Sequence, residues 1–157
     1  MKLFQRLSFG NRKRQKGVAM TEAVIVTPFL CFMVIATAEV TNAFHEHNVL
    51  SKAVRNGARY AATMGTSGTT GVVALTPQLI SDVQSLVAYG QVGGGTPVLN
   101  GFASGNVQVA DMGNNVIRVT ASYAYTGILG IPIPGLTLGA DTNVAQTLSA
   151  TVMMRTL

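Results

Sequence analysis

The first part of the chain is almost uninterrupted apolar sequence. At 1.5 Å per residue, a helix over residues 18–44 extends about 40 Å, which exceeds the ~30 Å hydrocarbon core of a bilayer. The pattern therefore predicts a transmembrane helix with some tilt. Pro28 lacks a backbone donor and predicts a kink one turn beyond Glu22, the acid near the start of this run.

Residues 45–63 change to a helical pattern with two different faces. At 100° per residue, small and apolar residues fall on one side, and Lys52, Arg55 and Arg59 fall on the other. The transmembrane helix is thus predicted to continue to Thr63 as an amphipathic extension. The small residues of the apolar side predict close approach by another backbone, most simply by the protein's own sheet. That side consists of Leu50, Ala53, Val54, Gly57, Ala58 and Ala61.

A second helix and a set of strands are predicted after a Gly/Ser/Thr-rich stretch. Thr76 as N-cap and Pro77 at the first position start the helix, and Gly90 ends it. Strands follow, because apolar and polar residues alternate around Val107 and Val109, then from Ile117 to Tyr125, and again from Val144 to Met154.

These elements predict an α+β fold, in which the long N-terminal helix packs on an antiparallel sheet of three or four strands with one short helix. The predicted domains are a basic leader (1–17), a transmembrane helix (18–44), its amphipathic extension (45–63) and an exported globular domain (64–157). Residues 127–139 form an apolar Pro/Gly loop that is interpreted either as folding back on the core or as a contact patch for another subunit.

Charge is distributed unevenly along the chain. The formal net charge is +5, but six of the eleven basic residues precede Gly17. Beyond Gly17, five basic and six acidic residues give 5 − 6 = −1. A nucleic-acid partner is therefore not expected, because binding phosphates needs a clustered basic surface. The basic flank instead predicts a cytoplasmic N-terminus and an exported C-terminal domain.

Few residues suggest chemistry. His45 and His47 are two apart and point about 200° apart on a helix, so they do not grip one ion together. Residues 93–95 lack the Lys and Ser/Thr of a phosphate-binding loop, and the lone Cys31 lies inside the apolar run, where no intrachain disulfide is possible. We predict no enzyme activity, no metal site and no cofactor.

Two segments carry a family resemblance. KGVAMTEAVIVTP resembles a type IV prepilin processing signal, with Gly17 as the last leader residue, Val18 as the new N-terminus and Glu22 as the fifth residue. Asn48 to Thr63 is similar to the "AxREGARYA" segment of TadE-like minor pilins of the tight-adherence (Tad/Flp) pilus system. The matched residues here include Arg55, Gly57, Arg59 and Tyr60, and Glu39 matches a glutamate that these proteins often carry late in the span.

Two positions depart from the family patterns. Asn56 replaces the usual acid before the glycine, and alanine follows Glu22, where major Flp pilins have tyrosine. The second departure favours a minor pseudopilin. The resemblance covers residues 12–63 and also implies a type IV pilin-like fold.

The resemblance implies specific partners. A prepilin peptidase of the inner membrane would cut after Gly17 and methylate the Val18 amine. The carboxylate of Glu22 would then meet the N-terminal amine of a neighbouring pilin or minor pilin during assembly on the pilus platform, since pairing two charges in lipid relieves the cost of both. The implied location is the bacterial inner membrane, single-pass with a periplasmic C-terminal domain, and then an extracellular pilus.

Two alternatives stay open. Ala36, Thr37 and Ala38 form an A-x-A sequence after an apolar stretch, so a signal peptidase could release a protein that begins at Glu39. The chain could also be an uncleaved single-span membrane adaptor. The mature N-terminus distinguishes the three hypotheses.

Overall fold

The computed structural model describes residues 12–65, 74–127 and 146–156, with side chains from residue 17 onward. It contains a long helix, a second helix, a 3-10 turn and three strands, which confirms the predicted α+β fold. In chain order these are α1 (Arg12–Met64), α2 (Pro77–Tyr89), the 3-10 turn (Ser104–Asn106), β1 (Val107–Asp111), β2 (Val116–Ala124) and β3 (Thr147–Arg155).

The chain forms two compact units, Met1–Ala38 and Glu39–Leu157. In the first unit, the side chains of residues 17–38 are exposed except for that of Ala36, which is half-buried. Pro28 lies inside α1. Within the described residues, one helix is long and apolar enough to cross a membrane, and its apolar window has no buried residue.

Helix α2 begins and ends as its sequence predicts. The Thr76 hydroxyl accepts a hydrogen bond from the Leu79 amide at 3.2 Å, and Pro77 occupies the first turn. The helix ends because Gly90 takes a left-handed conformation with φ 74° and donates its amide to the Leu86 carbonyl. Both ends are therefore capped.

The sheet has the order β1-β2-β3, and both pairings are antiparallel. Asn114 and Asn115 form the turn between β1 and β2 with φ 54° and 61°, a conformation that asparagine tolerates better than most residues. In β2 the residues predicted to share a face are buried, and they are Ile117, Val119, Ala121 and Tyr123, with Tyr125 just beyond the strand.

One hydrophobic core joins the helices and the sheet of the second unit. Its fully buried residues include Leu50, Val54, Ala58 and Ala61 of α1, Val83 and Val87 of α2, and Ile117, Val119 and Ala121 of β2. The small residues of α1 allow close packing, but Gly57 faces Val83 and Val87 of α2. At Gly57 the neighbouring element is therefore α2, and not the sheet that the pattern predicts.

The third strand confirms the alternation predicted near the C-terminus. Leu148 and Ala150 are buried, Val152 and Met154 are half-buried, and the intervening residues are exposed. Val144 and the predicted contact loop lie outside the described residues, except for Gly127.

Candidate functional site

The predicted processing residues lie on α1 in the first unit. Gly17, Val18 and Glu22 are all exposed, and Val18 is 68% exposed. Val18 and Glu22 are four residues apart, so they lie on one face of the helix, separated by about one turn. A Cβ atom built on Gly17 meets nothing within 4 Å. A larger residue at Gly17 therefore has room in this unit.

A second group of polar residues lies at the beginning of the globular unit. Glu39, the glutamate late in the apolar run, is only 7% exposed. The Tyr125 hydroxyl lies 3.0 Å from Glu39 Oε1 and 3.3 Å from the Glu39 backbone oxygen. The carboxyl group thus meets a donor from the residue that follows β2, and this contact joins two parts of the chain that are 86 residues apart.

Asn42 extends this contact along the helix. Its Nδ2 donates to the Tyr125 hydroxyl at 3.2 Å and lies 3.3 Å from Glu46 Oε1. Two carboxyl groups of α1 are therefore linked through one amide and one phenol. Glu46 Oε2 is buried and has no hydrogen-bond partner among the described residues.

The surroundings of these acids perturb two tyrosines. Burial is the main reason that the pKa of Tyr125 is raised, and the hydrogen bond and charge of Glu39 raise it further, while the amide of Asn42 acts in the opposite direction. Burial also raises the pKa of Tyr123, with the charge of Glu46 as the next cause. Both phenols are therefore held in the neutral form that can donate a hydrogen bond.

Tyr123 has its own fixed position beside this group. Its hydroxyl donates to the Asn100 carbonyl at 2.9 Å, and its ring meets Phe102 edge-on, with centroids 5.9 Å apart and an interplanar angle of 87°. The loop between α2 and β1 therefore anchors this tyrosine.

Gly127 completes the enclosure of Glu39. A Cβ atom at residue 127 would collide with Glu39 Oε1, so the carboxyl group occupies space that any other residue would fill. We name Glu39, Asn42, Glu46, Tyr125 and Gly127 the glutamate cluster. Its members come from α1 and from the segment after β2, and its hydrogen bonds fix these two segments to each other.

The residues that match the family segment at the end of α1 have different environments. Gly57 is buried against α2, where a Cβ atom would overlap Val87 Cγ2. Tyr60 is half-buried and packs against the core. Arg55 and Arg59 are exposed on the opposite side of α1. The motif therefore combines a packing position with a basic surface.

Comparison with known protein families finds a match for most of α1. Residues 17–59 match the family model of TadE-like proteins. Over this stretch the chain is similar to TadE-like proteins. The match covers about a quarter of the chain and includes the predicted processing residues, Glu39 and most of the basic motif. No curated protein and no solved structure matches the chain.

The match confirms the predicted resemblance to TadE-like proteins of the tight-adherence system, which are pilin-like. The matched residues include the one helix in the described part of the chain that is long and apolar enough to cross a membrane. One such helix near the N-terminus is typical of a single-pass membrane anchor. Residues beyond 59, which include α2 and the sheet, lie outside the match.

The family resemblance marks Glu39 but gives it no physical role. The helical pattern around Glu39 nevertheless contains a signal for its buried position. Glu39, Asn42 and Glu46 lie within about 60° of one another around the helix, on the same stripe as the buried Leu50. Polar residues that continue a buried stripe need partners inside the fold. The buried end of the β2 face, with two tyrosines, supplies them.

Proposed function

We propose that this protein is a TadE-like minor pilin that a prepilin peptidase processes after Gly17, and that it is required to assemble a Tad-type adhesive pilus as part of an initiation or tip complex. The observation that carries the proposal is the family match that begins at Gly17 and runs through the exposed apolar helix. The role is structural and not catalytic.

The length of the first unit supports a membrane position before assembly. From Val18 to Ala38 a helix extends about 31 Å, close to the ~30 Å hydrocarbon core of a bilayer. Large apolar side chains such as Val24, Ile25 and Phe29 are exposed in this unit. They would contact lipid before assembly and neighbouring helices in a fibre.

Processing would create a positive charge with which the Glu22 carboxylate of a neighbouring subunit can pair. Cutting after Gly17 converts the Val18 amide into an ammonium with an ordinary pKa of about 7.7–8.0. An unpaired charge at the centre of a bilayer costs roughly 2.5–3.5 kcal/mol on insertion scales. Pairing the Glu22 carboxylate with the ammonium of a neighbouring subunit relieves this cost for both groups, which favours incorporation over the free membrane state.

One observation favours secretion as a second candidate. The second compact unit begins at Glu39, directly after the A-x-A sequence that ends at Ala38. Against it, α1 has no break at Ala38, and the family match spans residues on both sides of that bond. A signal peptidase requires an extended segment, so secretion would require the helix to open there.

Mass spectrometry of the mature protein from a membrane fraction tests the processing step. We expect a chain that starts at Val18, with or without N-methylation. A start at Glu39 would support secretion, and an intact leader would support an uncleaved anchor. Gly17→Leu is the matched variant. Residue 17 has open space in the structure, so a leucine there does not disturb the packing. A loss of cleavage in this variant therefore shows that the peptidase requires glycine at this position.

Glu22→Ala tests the assembly step. We expect cleavage and membrane insertion to continue, while the yield of sheared pili falls to background, because the ammonium of the neighbour loses its partner. Thr21→Val is the control, since Thr21 is an exposed neighbour whose hydroxyl bonds only the Val18 carbonyl. Normal fibres from Glu22→Ala would refute the proposed role of this acid.

A further inference from the structure

One face of α1 carries a row of positive charge. Lys52, Arg55 and Arg59 are exposed and lie within about 60° of one another around the helix. Asn56 and Thr63 flank them on the same exposed side. We name the three charged residues the basic row. None of the three forms an ion pair with another residue that the structure describes.

The described acids of the globular unit are buried, half-buried or hydrogen-bonded to residues outside the basic row. Glu39 is buried in the glutamate cluster, and Glu46 is half-buried beside it. Asp82 accepts a hydrogen bond from Gln78 at 3.0 Å. Asp111 is exposed but accepts the Gly113 amide of its own turn at 2.8 Å. Among the described residues, none of these acids forms an ion pair with the basic row.

The described surface of a second copy of this chain offers few carboxylates. Among the described residues of the globular unit, Asp111 is the one exposed acid, and three aligned positive charges need several carboxylates. A partner that complements the row therefore needs a more acidic surface than these described residues present.

The fixed positions of the three charges favour a protein over lipid as the partner. Lys52, Arg55 and Arg59 lie on one exposed face of a helix. A folded protein can hold carboxylates at fixed positions opposite such charges, whereas lipid headgroups diffuse independently.

We propose that the basic row is a docking surface for an acidic face of a different subunit. That this subunit belongs to the same pilus rests on the proposed function, whereas the surface itself rests on the charges and exposure above. Opposite charges aligned along a helix steer association and fix its register more than they add affinity. The row thus selects which subunit this protein meets, separately from the Glu22 contact within the membrane.

Site-specific photocrosslinking tests the proposal in membranes that contain the full-length protein. A photoreactive residue at Asn56 stands within the row without removing a charge. We expect a cross-link to another protein, at a peptide with several Asp or Glu residues. The variant Lys52→Gln/Arg55→Gln/Arg59→Gln removes the charges but keeps polar, helix-compatible side chains, and we expect it to lower the cross-link yield by about tenfold or more, since three exposed pairs are lost.

Two further variants complete the test. Lys52→Arg/Arg55→Lys/Arg59→Lys retains charge and should preserve the cross-link. Reversing the row to glutamate should abolish it, and placing lysines at the cross-linked acidic positions of the partner should restore it. A cross-link that survives the glutamine variant, or one that joins only lipid or only this chain itself, would overturn the proposal.

The outcome is separable from that of the proposed function. If the mature protein does not begin at Val18 but the charge-dependent cross-link forms, the docking surface stands and the pilin assignment fails. If Val18 is the N-terminus and the cross-link is insensitive to charge, the docking proposal fails and the pilin assignment stands.

Discussion

Removing the hydroxyl of Tyr125 tests whether the glutamate cluster fixes the long helix to the sheet. Tyr125→Phe keeps the ring in the core and deletes the group that donates to Glu39 Oε1 at 3.0 Å and accepts from Asn42 at 3.2 Å. Glu39 is 7% exposed, so water cannot fully replace the lost donor. The substitution leaves a buried carboxyl group short of one hydrogen bond.

The expected magnitude follows from this geometry. A hydrogen bond to a charged or buried partner contributes about 1.5–3 kcal/mol, and leaving its acceptor unsatisfied costs the desolvation of that group. Asn42 retains its contact with Glu46, which limits the additional loss. We therefore expect the free energy of unfolding to fall by about 2 kcal/mol. With a urea dependence of about 2 kcal/mol per M for a unit of this size, the midpoint shifts by about 1 M.

Urea unfolding of the full chain in detergent measures this change. Near-UV circular dichroism follows the tyrosines, and the chain has no tryptophan to obscure them. Tyr89→Phe is the matched control, because Tyr89 is half-buried and its hydroxyl has no hydrogen-bond partner among the described residues. We expect its midpoint to stay within about 0.2 M of the unsubstituted chain, since a bond-free hydroxyl contributes little.

A double-mutant cycle with Glu39→Ala isolates the contact between the two residues, because alanine removes the acceptor. We expect a coupling energy of at least about 1 kcal/mol between Tyr125→Phe and Glu39→Ala. A Tyr125→Phe midpoint equal to that of the Tyr89→Phe control, or additive effects in the cycle, would refute the assignment of this hydrogen bond as a fixing contact.

Three other predictions follow from single positions. Gly127→Ala should destabilise the protein by about 1–3 kcal/mol through collision with Glu39, and Glu39→Ala in the same chain should make the combined loss smaller than the sum of the two. Gly57→Ala should cost about 1–3 kcal/mol against Val87, with Val87→Ala as the suppressor in the same urea assay; additive losses would contradict the packing. The pKa of Tyr123 is raised by burial and by a nearby glutamate. Tyr123 therefore loses its proton at a lower pH in the unfolded chain than in the folded chain. Stability should hold below pH 10 and fall as the pH rises above that value, which absorbance of tyrosinate and the urea midpoint measure together; a midpoint unchanged by alkali would refute it.

Local features of the fold were predictable from neighbouring residues. The caps of α2 follow from Thr76, Pro77 and Gly90, because each acts through its own backbone geometry and the adjacent turn. The buried face of β2 follows from strict alternation, which places every second side chain on one side. The continuous helix α1 follows from its apolar run and its amphipathic extension.

The candidate site was predictable only in part. The basic leader, Gly17, Val18 and Glu22 form a local sequence signal, and the family match from residue 17 includes the last three. Glu39 matched a family position, but its partner could not be derived from the helix, because Tyr125 is 86 residues away in the chain.

The sequence by itself determined the elements, the membrane-length helix and the side of α1 that carries positive charge, since each depends on periodicity over a few turns. Only the tertiary structure decided what those faces meet. It placed α2 against Gly57, enclosed Glu39 between Tyr125 and Gly127, and left the basic row exposed without an ion pair among the described residues. The physical reason is that burial and pairing depend on contacts between distant segments, which composition and local pattern do not encode.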